Sequence, residues 1–130
     1  TGHGVGCYLD VHEGPQRIAP GTTQVALKPG MVVSNEPGVY FTDQYGIRIE
    51  NLCLVKPVVK KEGSPTSHGE FYGFETLTLL PYESKLIEVS MLTEDEIQWL
   101  NGYHRRVFDA LCDDLHDLQR EWLLRATCPL

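Results

Sequence analysis

Two glutamates, each set in a mostly apolar and strand-like stretch, are the residues of this sequence best placed for chemistry. Glu36 ends one stretch, 31–36, and Glu50 lies in another, 46–51. Alternation along the second stretch places Arg48 and Glu50 on the same face of a strand. A charge that faces inward from a strand needs a partner charge or a metal ion, because water does not reach it. Two strands that each present an inward carboxylate therefore indicate part of a metal site.

Two histidines near the start of the chain are candidates for the same site. His3 and His12 lie in a glycine-rich stretch whose apolar neighbours argue against a flexible linker. One imidazole with two carboxylates forms a hard donor set that suits Mn²⁺, Co²⁺ or Zn²⁺. Two neighbouring ions can activate water and polarise a carbonyl. Because two ions need about four to six protein donors, this chain would hold only part of such a site.

A simpler interpretation of these residues stays open from composition and spacing alone. Glu50 would then pair with Arg48 or another base, and Glu36 would be an exposed residue in a turn. His3 and His12 would be ordinary loop residues. Lone histidines and glutamates do not by themselves distinguish the two interpretations.

Composition limits the class of protein. A chain of 130 residues with 42% hydrophobic and 22% charged residues is typical of one globular domain. The net charge of -7 and the scattered basic residues argue against a nucleic-acid partner. No apolar run approaches the roughly 20 residues that span a bilayer. The four cysteines show no CxxC pairing, so we expect reduced thiols and a cytoplasmic protein.

The order of the predicted elements is several strands followed by a helix, which indicates an α+β fold. Alternation and turn residues predict strands at 31–35, 39–41, 46–56 and 71–80, with a shorter extended piece at 24–27. The polar segment 60–69 is expected to be a surface excursion.

A capping-box pattern at Thr93 and Glu96 predicts the start of a long amphipathic helix. Its apolar stripe has steps of three or four residues, and the helix is expected to break near 113–117. The stripe consists of Ile97, Leu100, Tyr103, Val107, Leu111, Leu115, Leu118 and Trp122. His104, on this helix, is interpreted as structural or exposed rather than as a metal ligand.

Six motifs, in order and nearly from end to end, resemble the eukaryotic aminopeptidase P (Xaa-Pro aminopeptidase) family. Because several motifs occur together, the resemblance is specific. One position departs from it, since Thr76 stands where the family usually has proline. The motifs are TGHGVG at 1–6, LDVHEGP at 9–15, NEPGVY at 35–40, GIRIEN at 46–51, FETLTL at 74–79 and WLNGYH at 99–104.

The resemblance implies the pita-bread fold that creatinase and methionine aminopeptidase share. Residues 1–130 would be the C-terminal half of one metallopeptidase catalytic domain, without its N-terminal part. That half would contain a curved, mainly antiparallel sheet and a long C-terminal amphipathic helix. The family's two aspartate metal ligands lie upstream of His3, so this chain does not contain them.

The resemblance also implies an activity. The parent protein would be a metal-dependent aminopeptidase that releases the residue before a penultimate proline, using a hydroxide that bridges two divalent ions. Manganese is the usual metal, with cobalt or zinc as alternatives. His3, Glu36 and Glu50 would be metal ligands, Glu36 would also serve catalysis, His12 would bind substrate and assist catalysis, and Arg48 would support the carboxylates.

The partners implied are peptides with proline at the second position, the missing N-terminal part of the same protein, and a second copy of the parent chain in a homodimer. No nucleic acid or membrane partner is expected, and the isolated chain is expected to be inactive. Two alternatives remain, a non-catalytic pita-bread module that binds peptides or proteins and a prolidase-like dipeptidase. The presence of His3, Glu36 and Glu50 argues against the first.

Overall fold

The computed structural model of the chain divides into two compact units, Thr1–Thr78 and Leu79–Leu130. No helix among the described residues is both long and apolar enough to cross a membrane. The predicted surface excursion at 60–69 lies outside the residues that the structure describes, which are 2–21, 23–58 and 70–130.

The first unit is built from antiparallel strands that form two sheets. In the described part of the chain, the larger sheet has five strands in the order β2-β1-β3-β6-β7, and β4 pairs with β5 in a separate hairpin. The strands are β1 Gly2–Val5, β2 Glu13–Ile18, β3 Val32–Asn35, β4 Gly38–Phe41, β5 Tyr45–Arg48, β6 Asn51–Pro57 and β7 Tyr72–Thr76.

The two central strands, β3 and β6, supply the buried residues of this sheet. Val33 is paired with Cys53, and both side chains are buried together with Val55. Burying a valine side chain stabilises a fold by roughly 1.5–3 kcal/mol, so the alternating buried side chains of β6 favour its place in the middle of the sheet. The strand predicted at 31–35 is thus confirmed within one residue.

The single strand predicted at 46–56 is wrong. It is two strands in different sheets, because β5 pairs with β4 whereas β6 pairs with β3 and β7. The chain changes partner at Ile49 and Glu50, where the Ile49 N–H donates to the carbonyl of Pro37 at 3.1 Å. Arg48 and Glu50 therefore do not lie on the same face of one strand, as alternation had predicted.

Two glycines explain how the glycine-rich start of the chain becomes the inner strand β1. A Cβ atom at Gly2 would overlap the carbonyl oxygen of Ser34, and one at Gly4 would lie 2.5 Å from that of Glu13. The neighbouring backbones approach β1 more closely than any side chain would allow.

Two other strand predictions were less accurate. Residues 24–27 do not form a strand, and the strand predicted at 71–80 is the shorter β7, Tyr72–Thr76.

The second unit is helical. Its elements are short 3-10 turns at Ser84–Leu86 and Val89–Met91, helix α1 Glu94–Leu111, a 3-10 turn at Cys112–Asp114, and helix α2 Asp117–Ala126. The predicted capping box is confirmed, because Thr93 N–H donates to Glu96 Oε2 at 2.8 Å and Glu96 N–H donates to Thr93 Oγ1 at 3.4 Å. The predicted break after α1 is confirmed as well.

The core of this unit gathers around Tyr103, Val107 and Leu123. The predicted stripe holds through α1 but is wrong in α2, where Leu118 is 81% and Trp122 52% exposed. A 3-10 turn separates the two helices, and α2 buries Leu123 instead.

Candidate metal centre

Three side chains that could bind a metal ion converge in the first unit. One donor atom each from His3, Glu36 and Glu50 lies within 4.8 Å of the other two, and the described residues contain no other such group of three or more. The pairing of Asn35 with Asn51 explains the meeting of the two glutamates, since Glu36 follows one partner and Glu50 precedes the other. Strand β1, hydrogen-bonded to β3, brings His3 alongside.

His3 is oriented by its own backbone neighbour. Its Nδ1 lies 2.8 Å from the carbonyl oxygen of Gly4, and its Nε2 lies 3.3 Å from Oε1 of Glu36. A proton on Nδ1 that is donated to the carbonyl leaves the Nε2 lone pair facing the carboxylate. Two ligand atoms that each lie about 2.0–2.2 Å from the same ion are themselves separated by roughly the 3.3 Å found between His3 Nε2 and Glu36 Oε1. The pair therefore fits a shared cation.

Glu36 is the most tightly held of the three residues. Its side chain is 5% exposed, Ser34 Oγ donates to Oε1 at 3.0 Å, and Arg48 Nη1 donates to Oε2 at 2.7 Å. Burial alone would raise the pKa of Glu36, but the hydrogen bond from Ser34 and the charge of Arg48 lead the contributions that lower it below its ordinary value. The carboxylate is therefore ionised at neutral pH, as a metal ligand must be.

Arg48 supports a carboxylate, but a different one from that suggested by strand alternation. It bonds Glu36, whereas Glu50 is exposed and has no hydrogen bond or ion pair with any residue that the structure describes. The simpler interpretation, in which Glu50 pairs with Arg48, is therefore wrong. The Nε and Nη2 atoms of Arg48 donate to the hydroxyl of Tyr40 at 2.9 and 2.7 Å.

Tyr40 is a residue of this centre that the sequence analysis missed. Its ring lies across the hairpin, where a Cβ at Gly46 would be 2.5 Å from Tyr40 Cδ1 and one at Gly38 2.7 Å from its hydroxyl. The two glycines leave space for the ring, and its hydroxyl holds the Arg48 guanidinium. Alternation from Glu36 through Gly38 to Tyr40 was the signal that could have identified it.

His12 lies beside the three donors rather than among them. Its ring contacts the ring of His3 edge to face, with centroids 4.6 Å apart and planes at 85°. The residue is otherwise exposed. This arrangement agrees with a histidine that meets substrate without binding metal, and that role stays a prediction.

A small hollow adjoins Glu36 on the side of Gly2. Its volume is about 200 Å³, and its apolar lining comes mainly from Ile18, Ala19, Pro20 and Pro37. The centre thus combines one imidazole and two carboxyl groups with an adjacent apolar surface.

Comparison with solved structures supports the predicted fold. The chain resembles the X-prolyl aminopeptidase of Caenorhabditis elegans, whose crystal structure is described as "a cytosolic enzyme with a di-nuclear active site". The TM-score is 0.84 at 39% sequence identity, and the match covers 100% of this chain and 21% of that one. The predicted α+β pita-bread fold, present here as part of a domain, is confirmed.

Curated relatives and family models agree with this match. A probable Xaa-Pro aminopeptidase P of Coprinopsis cinerea is 49% identical over 100% of this chain and 21% of its own length. Aminopeptidase P1 of Lotus japonicus is 43% identical over 100% of this chain and 20% of its own. The chain therefore spans about a fifth of these relatives. The model of metallopeptidase family M24 matches residues 1–57 and that of the C-terminal region of peptidase M24 matches 70–130, so the chain belongs to metallopeptidase family M24.

Proposed function

We propose that the parent protein is a metal-dependent aminopeptidase that releases the residue before a penultimate proline. The observation that carries this proposal is the convergence of His3, Glu36 and Glu50 within 4.8 Å. The names of its relatives, which are Xaa-Pro aminopeptidases, support the substrate class. We further propose that residues 1–130 are the C-terminal part of the catalytic domain.

The Nε2 atom of His3 and the carboxylates of Glu36 and Glu50 would hold the metal. Two divalent ions at this position would supply Lewis acidity and lower the pKa of water. The hard donor set favours manganese, with cobalt or zinc as alternatives. The dinuclear active site named for the Caenorhabditis elegans relative supports a pair of ions.

Two ions need about four to six protein donors, and the described residues bring three together. We propose that the remaining donors come from the upstream part of the same protein. The 130-residue chain would then bind metal weakly and would not hydrolyse peptides by itself. A homodimer of the parent chain and a cytoplasmic location stay predictions.

The other residues of the centre would act directly on the substrate or on the ligands. His12 lies on the exposed side of His3, where it would contact the peptide and donate a hydrogen bond to the charge that develops on the carbonyl oxygen. Glu36 is ionised and would accept a proton during the reaction. Arg48 would keep that carboxylate oriented, and the hollow beside Glu36 would accept an apolar part of the peptide.

Metal content and peptide cleavage, measured together on the full-length parent protein, test the proposal. We expect Glu50→Ala to lose bound metal and at least about a hundredfold in the rate of cleavage of an Xaa-Pro-Xaa tripeptide. Glu121→Ala is the matched control, because Glu121 is an exposed glutamate in a surface ion pair with Arg125. An unaltered rate and metal content in Glu50→Ala would defeat the assignment.

The same assay distinguishes the alternatives. Hydrolysis of Xaa-Pro dipeptides but not of tripeptides would identify a prolidase-like dipeptidase. A full-length protein that binds proline-containing peptides, contains no metal and cleaves none of them would be a non-catalytic binding module.

A further inference from the structure

Glu13 organises the loop that joins β1 to β2. Its Oε2 accepts the N–H of Tyr8 at 3.4 Å, and its Oε1 accepts the N–H of Asp10 at 3.2 Å. Among residues 6–15, Glu13 is half-buried and the others are exposed. One carboxylate therefore bonds two backbone positions of the loop from within.

The apolar side chains of the loop cannot hold it in place, because Tyr8, Leu9 and Val11 are 85%, 91% and 79% exposed. Leu9 also has a φ angle of 62°, in the left-handed region that costs energy for a residue with a side chain. The N–H groups on either side of Leu9 are the two that Glu13 accepts. The carboxylate thus stabilises a loop conformation that burial does not.

Two glycines make room for Glu13. A Cβ atom at Gly6 would overlap the Glu13 carboxylate, and one at Gly4 would lie 2.5 Å from the Glu13 carbonyl oxygen. Gly4 is also the backbone partner of Glu13 where the pairing of β1 and β2 shifts register. Glu13 is therefore anchored to β1 through its backbone, while its side chain bonds the loop that follows β1.

His12 precedes Glu13 in the chain and reaches the ring of His3, which precedes Gly4 on the paired strand. We propose that Glu13 is a positioning residue that holds His12 against His3 by closing the loop between them. The inference rests on the proposed function in one respect, since it assigns Glu13 an effect on substrate through His12. The loop conformation itself can be tested without any activity.

Hydrogen exchange of the full-length parent protein tests the loop. In Glu13→Ala, we expect the backbone amides of a peptide covering 6–13 to exchange about fivefold faster, because two N–H groups lose their acceptor. Asp10→Ala is the matched control, since it removes a loop carboxylate but keeps the Asp10 N–H. Gly6→Ala should reproduce the acceleration by displacing the carboxylate. Unchanged exchange in Glu13→Ala and Gly6→Ala would overturn the inference.

A double-mutant cycle tests the action through His12. We expect Glu13→Ala to lower kcat/KM on a tripeptide by roughly ten- to hundredfold while the metal content is retained. In a protein that already carries His12→Ala, the same substitution should lower kcat/KM further by less than about twofold. Additive effects would overturn the inference. If Glu13→Ala does not fold, Gly6→Ala takes its place in the cycle. If the wild-type protein cleaves no Xaa-Pro peptide, the proposed function fails, and the exchange rates alone decide the role of Glu13.

Discussion

Arg48 donates from Nη1 to Oε2 of Glu36 at 2.7 Å, and this contact links the β4–β5 hairpin to the end of β3. The same guanidinium donates its Nε and Nη2 protons to the hydroxyl of Tyr40. The hydrogen bond to Tyr40 is the largest cause that raises the pKa of Arg48, and the negative charge of Glu36 raises it further. Because three nitrogens of a planar group are engaged in two directions, no other side chain can replace it.

Arg48→Lys is predicted to weaken metal binding in the full-length protein by about 10- to 100-fold. An ammonium group cannot bond Glu36 and Tyr40 with the same geometry, so the carboxylate becomes free to rotate. Titration of the metal-free protein with Mn²⁺ measures the effect. Lys56→Met is the control, because Lys56 forms an exposed pair with Glu75 on β6 and β7. Equal metal affinity in Arg48→Lys and the wild type would contradict the prediction.

Tyr40→Phe is predicted to lower kcat/KM by about tenfold while it changes the melting temperature little. The ring still covers Gly46, but Arg48 loses the acceptor of two hydrogen bonds. Tyr45→Phe is a control on the same hairpin, because the Tyr45 hydroxyl has no hydrogen bond with any described residue. A rate loss of equal size in both variants would show that the Tyr40 hydroxyl has no special role.

His104 makes the second unit sensitive to acid. The side chain is 0% exposed, and its Nε2 accepts the N–H of Tyr82 at 3.1 Å, which places the proton of the neutral ring on Nδ1. Burial lowers the pKa of His104, and the backbone of Cys128 offsets only part of this effect. Protonation would turn the acceptor into a second donor facing the Tyr82 N–H.

The unfolded chain binds a proton at this histidine below its ordinary pKa of about 6.5, whereas the folded chain does not until a lower pH. The stability that His104 contributes is therefore complete above about pH 6.5 and is lost as the pH falls from there toward the folded pKa. We expect the melting temperature of the wild type to exceed that of His104→Gln at pH 8 and the difference to narrow toward pH 5. His116→Gln, at an exposed histidine, controls for loss of an imidazole, and a difference that is constant with pH would contradict the prediction.

Two glycine-to-alanine substitutions are predicted to have opposite effects on stability. Gly2→Ala would force a methyl group against the Ser34 carbonyl and disturb the bond from His3 N–H to Ser34 Oγ, at a cost of about 1–3 kcal/mol. Gly102→Ala, on the exposed face of α1 with no atom within 4 Å of the added Cβ, should stabilise by about 0.5–1 kcal/mol. Denaturant unfolding of the two variants measures both, and destabilisation by Gly102→Ala would be evidence against this account of α1.

Local signals predicted the elements that depend on neighbouring residues. The capping box at Thr93 and the break after α1 are both confirmed, because a helix start or end is decided by side chains within a few positions. Residue types and strand alternation left the convergence of His3, Glu36 and Glu50 open beside a simpler interpretation, and the motif resemblance favoured it.

Contacts between distant segments decided the rest. Sequence alternation placed Arg48 beside Glu50, whereas in the structure Arg48 forms a hydrogen bond with Glu36. The difference arises because the chain passes from one sheet to another between residues 48 and 51. The supports from Tyr40 and Glu13 likewise depend on glycines elsewhere in the chain, since Gly46 leaves space for the ring and Gly6 for the carboxylate. The residue types alone indicated which side chains could bind metal. Strand pairing determined which of them meet and which side chains hold them, since register and close backbone approach are properties of two segments together.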